Sequence, residues 1–146
     1  MRPEFEPKDP EFRHRVSHSF ARQGAMGTLG ISLKEFGAGW VELTFSNSLE
    51  VSQQHGFVHA GVLTAAMDSA CGYAAFSLMP PEAEVLTVEF KVNLINPARA
   101  NSLLAKAWVV KNGRTLSVCQ AEVVPADGGR AVAMMTATMM TLRHDG

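Results

Sequence analysis

Charge is scarce in this chain. Only 18% of its 146 residues are Asp, Glu, Lys or Arg, below the share of about 25% usual in globular proteins. Thirteen basic against fourteen acidic side chains leave a net charge of −1, so no overall positive field is present to hold nucleic acid. Cysteine is scarcer still. Cys71 and Cys119 alone exclude a disulfide scaffold and lack zinc-finger spacing, and neither a metal site nor a cofactor motif is expected. The first ten residues mix charges with prolines and have no apolar stretch, so no secretory leader is read there and a cytoplasmic protein with free thiols is expected. The longest apolar run, 62–79, contains Asp68, Thr64, Ser69, Gly72 and Ser77 and meets Pro80-Pro81. A charge at the middle of a membrane span costs about 2.5–3.5 kcal/mol on insertion scales, so this run is expected to be a buried helix and not a membrane span.

Apolar mass, by contrast, is plentiful. Hydrophobic residues make up 47% of the chain, too many for a disordered protein and enough for the core of one domain. Phe12, Val16 and Phe20 recur every fourth position, which predicts a short amphipathic helix within an N-terminal helical segment, 1–24. The core is expected over 28–142. Two strand-like runs, 28–36 and 40–46, flank Gly37-Ala38-Gly39, a glycine-bearing hairpin connection. An apolar helix is predicted from about Ala60 to Leu78, stopped by the two prolines. Four more strands follow, 86–94, 103–111, 115–124 and 130–142, with Asn112-Gly113 and Asp127-Gly128-Gly129 as turns. In the first of these, Leu86, Val88, Phe90, Val92 and Leu94 alternate with Thr87, Glu89, Lys91 and Asn93, which predicts two clean faces. A helix apolar nearly all round must be covered on most sides. The expectation is therefore α+β: an antiparallel sheet of about six strands wrapped around a long central helix, the order of the hotdog fold, with a short N-terminal helix.

The charge deficit has a pattern. No Lys or Arg occurs from Glu35 through Phe90, and between Val51 and Pro81 the one Asp, Glu, Lys or Arg is Asp68. At 100° per residue, Asp68 shares a stripe with Gly61, Ala65, Gly72, Ala75 and Met79, so another backbone, a subunit or a substrate can approach it closely. A buried carboxylate bonded to a neighbouring element is the competing reading. At the helix start, His59-Ala60-Gly61 presents backbone N–H groups without intrahelical acceptors. With the positive end of the helix dipole, these suit an oxygen that acquires negative charge. Tight packing of Ala60-Gly61 and an N-cap role for His59 are the plainer alternatives. Thr87 is expected on the polar face of its strand, where a β-branched residue suits a strand in any case, and nothing in the pattern selects it over Glu89.

The run from Gln53 through Tyr73 resembles the signature of hotdog-fold acyl-CoA thioesterases of the PaaI-like, phenylacetate-degradation type. Their pattern is a His-Gly-Gly opening the central helix and an acidic residue nine positions after the histidine; here His59 and Asp68 hold that spacing. The segment from Leu86 to Pro97-Ala98 is similar to the family's next strand, and the resemblance extends over roughly 28–142. It implies hydrolysis of an acyl-CoA thioester to free acid and CoA at a dimer interface. Asp68 would be the catalytic carboxylate, as general base or nucleophile. The helix start at Ala60 and Gly61 would form the oxyanion hole, the Ala60 N–H polarising the carbonyl and Gly61 permitting close approach. His59 would be the motif histidine, Gln53 would lie near the water or carboxylate, and Thr87 would help position the water. The chain departs at Ala60, where the motif has glycine.

Two other classes fit the same residues. A hotdog enoyl-CoA hydratase or dehydratase would pair His59 with Asp68, and a non-catalytic acyl-CoA-binding protein would keep the fold alone. A CoA ligand brings phosphates, for which Lys91, Arg99, Lys106, Lys111, Arg114 and Arg130 are the bases after the helix; the sequence singles out none. The expected partners are an acyl-CoA substrate and a second copy, as a homodimer or a dimer of dimers, with no nucleic acid and no membrane.

Overall fold

A computed structural model describes residues 2–144 of the chain. Ten elements follow in order: helix α1 (Phe12–Ala21), helix α2 (Gly24–Leu29), strand β1 (Ser32–Gly37), β2 (Trp40–Ser46), a 3-10 turn (Leu49–Val51), helix α3 (Ala60–Phe76), then β3 (Glu84–Leu94), β4 (Ser102–Asn112), β5 (Leu116–Pro125) and β6 (Ala133–Leu142). The six strands form one antiparallel sheet in the order β1-β2-β4-β5-β6-β3. The sheet curls around α3, which packs against β2, β3, β4, β5 and β6. Twelve of the 17 residues of α3 are buried, so the apolar helix needs the whole sheet to cover it. No helix among the described residues is long and apolar enough to cross a membrane.

The helical N-terminus reaches further than the pattern of apolar residues predicts. The stretch 28–31 is not strand. Thr28 and Leu29 close α2, Gly30 ends it at φ +71°, and β1 starts only at Ser32. A left-handed glycine after the last helical residue is a C-cap signal, and it outweighs the strand propensity of the run. Helix α1 buries Phe12, Val16 and Phe20 as predicted. Arg15 then ties α1 to the end of α3. Its Nη1 bonds Asp9 at 2.8 Å, and its Nη2 donates to the carbonyls of Phe76 and Met79 at 2.7 and 3.0 Å. The Phe76 carbonyl otherwise takes only the Met79 N–H of a turn, and Met79 lies just beyond the helix, so a cation there adds hydrogen bonds and meets the negative end of the dipole.

The second departure lies in β3. Cross-strand neighbours share a face, and Thr87 pairs with buried Met139, Phe90 with Ala137, Val92 with Met135 and Leu94 with Ala133. Leu86 instead pairs with Met140, and Glu89 with Thr138. The register shifts between Thr87 and Glu89, so Val88 is the extra residue of a β-bulge. The single alternation expected over 86–94 is thus broken. Thr87 joins Phe90, Val92 and Leu94 on the face toward α3, and Leu86 points outward. Strand β3 is also one of the sheet's two edges, β1 being the other, with one side unpaired along its length.

Candidate active site

Helix α3 begins with a side-chain cap. His59 has extended geometry (φ −60°, ψ 138°), and its Nδ1 accepts the Gly61 N–H at 2.8 Å. The His59 backbone is anchored in turn, its N–H donating to Val51 O at 2.9 Å. Because Nδ1 is the acceptor, the neutral ring carries its proton on Nε2, which faces outward as a donor. The carbonyl of His59 takes the N–H groups of Val62 and Leu63. The Ala60 N–H alone in this first turn has no partner among the described residues. The helix start therefore offers one open donor, and the Gly61 N–H, expected to share that role, is taken up by His59. Gly61 also sits tightly against the ring: a Cβ there would stand 3.1 Å from Nδ1.

Gln53 shapes the loop before the helix. Its Oε1 accepts from the N–H groups of His55 and Phe57 at 2.6 and 3.2 Å, closing a turn and leaving the amide nitrogen to donate elsewhere. Gln53, Phe57, His59 and Ala60 line one side of a pocket of about 480 Å³, faced by Leu94 and Pro97. The lining is mostly apolar, with Gln53, Gln54, His59 and Asn96 as its polar side chains, which is the usual composition of a small-molecule site.

Asp68 lies elsewhere. The Thr87 hydroxyl donates to Asp68 Oδ1 at 2.8 Å, with Met139 Sδ at 3.4 Å behind it. That bond exists because the bulge at Val88 turns Thr87 inward. It occupies Oδ1 and leaves Oδ2 available. Asp68 is half-buried, together with Thr64 and Ala65, on the stripe that opens at Gly61. Every residue of α3 from Ser69 to Phe76 is buried. The N-terminal half of the helix thus shows one uncovered stripe, beside β3 residues Phe90 and Leu94, which are 47% and 58% exposed.

Two half-sites result. Gln53, His59 and Ala60 gather at one end of α3, and Asp68 with Thr87 lies eight residues further on. At 1.5 Å of rise per residue, Ala60 and Asp68 are about 12 Å apart along the axis. Among the described residues no three His, Cys, Asp or Glu side chains cluster as metal ligands would. Cys71 and Cys119 are buried and free. Burial raises both thiols, Cys119 to about 12, which makes them poor nucleophiles.

A six-stranded antiparallel sheet wrapped in this order around a single long helix is the hotdog fold. The family model described as the thioesterase superfamily matches residues 55–132, more than half of the chain, and the chain belongs to that family. A candidate esterase of Halobacterium salinarum is 33% identical over 110 residues, covering 71% of this chain and 72% of that protein. Among solved structures, a thioesterase family protein from Silicibacter pomeroyi is 50% identical at a TM-score of 0.87, covering 90% of this chain and 98% of its own. The PaaI protein of the Escherichia coli phenylacetic acid degradation operon shares the fold at a TM-score of 0.81 and 20% identity, over 90% of this chain and 94% of that one. Family and relatives together support hydrolase chemistry on a thioester.

Proposed function

We propose that the protein is an acyl-CoA thioesterase whose sites form between two copies of the chain. The observation that carries this reading is the separation of the half-sites on one helix. A thioester carbon under attack must lie within about 3–3.5 Å of its nucleophile while its oxygen meets the donor. One chain cannot bring Asp68 and the Ala60 N–H to the same carbon across about 12 Å of helix. Two antiparallel copies of α3 can. A two-fold axis passing beside Thr64 and Ala65, midway between positions 60 and 68, sets Asp68 of each copy opposite the Ala60 of the other, and builds two equal sites. The stripe's small residues allow that approach, and the uncovered inner face and free edge of β3 give the second copy something to cover.

Within such a site the roles divide. The Ala60 N–H and the helix dipole stabilise the oxyanion, and Gln53 and His59 Nε2 supply further donors around the pocket. Thr87 fixes Oδ1 of Asp68, so that Oδ2 either takes a proton from water or attacks the thioester carbon to form an anhydride. In both routes the thiolate of CoA leaves; in the first the water oxygen ends in the product acid, and in the second water attacks the Asp68 carbon of the anhydride, so the water oxygen stays in Asp68 and an Asp68 oxygen leaves in the acid. Single-turnover hydrolysis in ¹⁸O-water separates them, because only the anhydride route places label in Asp68. The hydratase alternative needs His59 as a base, and its Nδ1 is already held by the Gly61 N–H.

Mixing tests the shared site. Asp68→Asn and Ala60→Pro are each expected to abolish thiol release from acyl-CoA. Unfolded together and refolded, half of the dimers pair one of each, and every such dimer has one intact site, so activity should return to about a quarter of wild type. No recovery, from variants that fold and associate, refutes the two-copy site. Full activity in Asp68→Asn refutes the role of the carboxylate.

A further inference from the structure

We infer that Arg99 is the anchor for the phosphates of the CoA substrate, a reading that rests on the function proposed above. Arg99 directly follows Ala98, the last residue lining the pocket that holds Ala60. Ala98 is fixed there by the Val58 N–H, which donates to its carbonyl at 3.2 Å. The guanidinium lies 4.9 Å over the ring of Phe57, another residue of that pocket wall. Arg99 thus stands on the pocket rim, held flat against an aromatic face. Beyond it is a second hollow of about 420 Å³, bordered by Arg99, Asn101, Ser102 and Asp127. The arginine separates an apolar hollow, which has the oxyanion donor, from a polar one.

Its charge is uncommitted. Arg99 is exposed, and its guanidinium has no hydrogen bond or ion pair among the described residues. It is also the one Lys or Arg lining either hollow among the described residues. Two other cations have acidic neighbours, and Lys91 and Arg130 line neither hollow. Arg2 meets Glu42 at 3.2 Å, and Lys106 sits in register between Glu42 on β2 and Glu122 on β5. Lys111 and Arg114 lie at the β4–β5 turn, the opposite end of β4 from Ser102 and the second hollow.

A CoA thioester has the matching polarity: an acyl–pantetheine arm without charge, then a diphosphate and a 3′-phosphate. With the net charge at −1, the protein offers no overall positive field, and a local cation is what would hold these phosphates. The planar guanidinium suits them, since it can bind phosphate through two parallel N–H donors while stacked on Phe57. Asp127, across the second hollow, opposes an anion and limits how far the phosphates can enter.

The test compares one acyl group on three carriers: CoA, pantetheine and N-acetylcysteamine, of which CoA alone bears phosphate. For Arg99→Ala we expect KM for acyl-CoA to rise about tenfold or more, with kcat unchanged and both parameters unchanged for the two phosphate-free esters. The effect should shrink as salt is raised. Arg99→Lys should recover part of the loss. Calorimetric titration of wild type and Arg99→Ala with CoA itself gives an answer independent of turnover. Equal CoA affinity in the two proteins overturns the assignment, as does an equal rise in KM on all three esters, which would mark Arg99 as a packing residue for Phe57. Turnover without Arg99 dependence defeats this inference and leaves the thioesterase reading standing. CoA binding that depends on Arg99, without turnover of any ester, does the reverse.

Discussion

Removing one backbone hydrogen from Ala60 is the sharpest perturbation this site permits, and proline does it. Ala60 is the first residue of α3, the position where proline is favoured in helices because the missing N–H has no intrahelical acceptor. The preceding residue must then be extended, and His59 already is, at φ −60° and ψ 138°. No hydrogen bond of the fold is lost, since the Ala60 N–H has no partner among the described residues. Ala60→Pro should therefore leave the melting transition in place, or stabilise by about 0.4–1 kcal/mol through the stiffer unfolded chain. The catalytic effect should be far larger. Loss of one oxyanion donor costs about 10²–10³ in kcat, or about 2.7–4 kcal/mol of transition-state stabilisation. Ala60→Gly keeps the donor and should stay within a few-fold of wild type, since Ala60 replaces the glycine of the family motif. The assay is thiol release from acyl-CoA over a range of substrate concentrations, alongside thermal unfolding. A folded Ala60→Pro that keeps the wild-type kcat refutes the donor role, even if KM rises because the ring crowds the substrate.

Thr87→Val removes the hydroxyl on Asp68 Oδ1 and keeps the shape; kcat should fall about tenfold, the lower end for a hydrogen bond to a charged group, with Thr87→Ser restoring most of it and stability within about 0.5 kcal/mol. Unchanged kcat in Thr87→Val would show that the bond has no part in the reaction. The buried thiols predict an alkaline limit to stability. Their pKa values are raised by burial, Cys119 from 9.0 to about 12, so the unfolded chain loses these protons first as pH rises and unfolding becomes easier between about pH 9 and 12. Denaturant midpoints across that range should fall for wild type and fall less for Cys119→Ala; parallel curves would contradict the assignment.

The strands and the central helix were legible because burial imposes a period. The β2 range matches residue for residue, and α3 begins where the histidine and the small residues predict. What escaped the pattern has the opposite character. Helix α2, with two glycines in six residues, has no apolar period to announce it, and it is the left-handed Gly30 that ends it. The bond network of Arg15, Asp9 and the α3 carbonyls joins residues up to 64 positions apart, and no local signal encodes that.

The site was legible in its residue types more than in its geometry. Asp68 and the helix start stand out by charge and by glycine, and each has a plain alternative that the sequence leaves open. For His59 the plain alternative is what the structure contains, a cap, and the cap in turn decides which N–H remains open. For Thr87 the alternation points to the wrong face. Five apolar residues at every second position read as one face, and a bulge inserted at Val88 leaves that composition untouched while turning every side chain before it over. The inward threonine and the outward Leu86 are then two results of the same inserted residue. An edge strand with exposed apolar side chains on both faces would be a liability in a monomer, and a second copy meeting the Asp68 stripe would remove it. The irregularity that defeats the sequence pattern is thus the one that aims a hydroxyl at the carboxylate, and the strand that bears it is an open edge of the sheet, where the proposed second copy would dock.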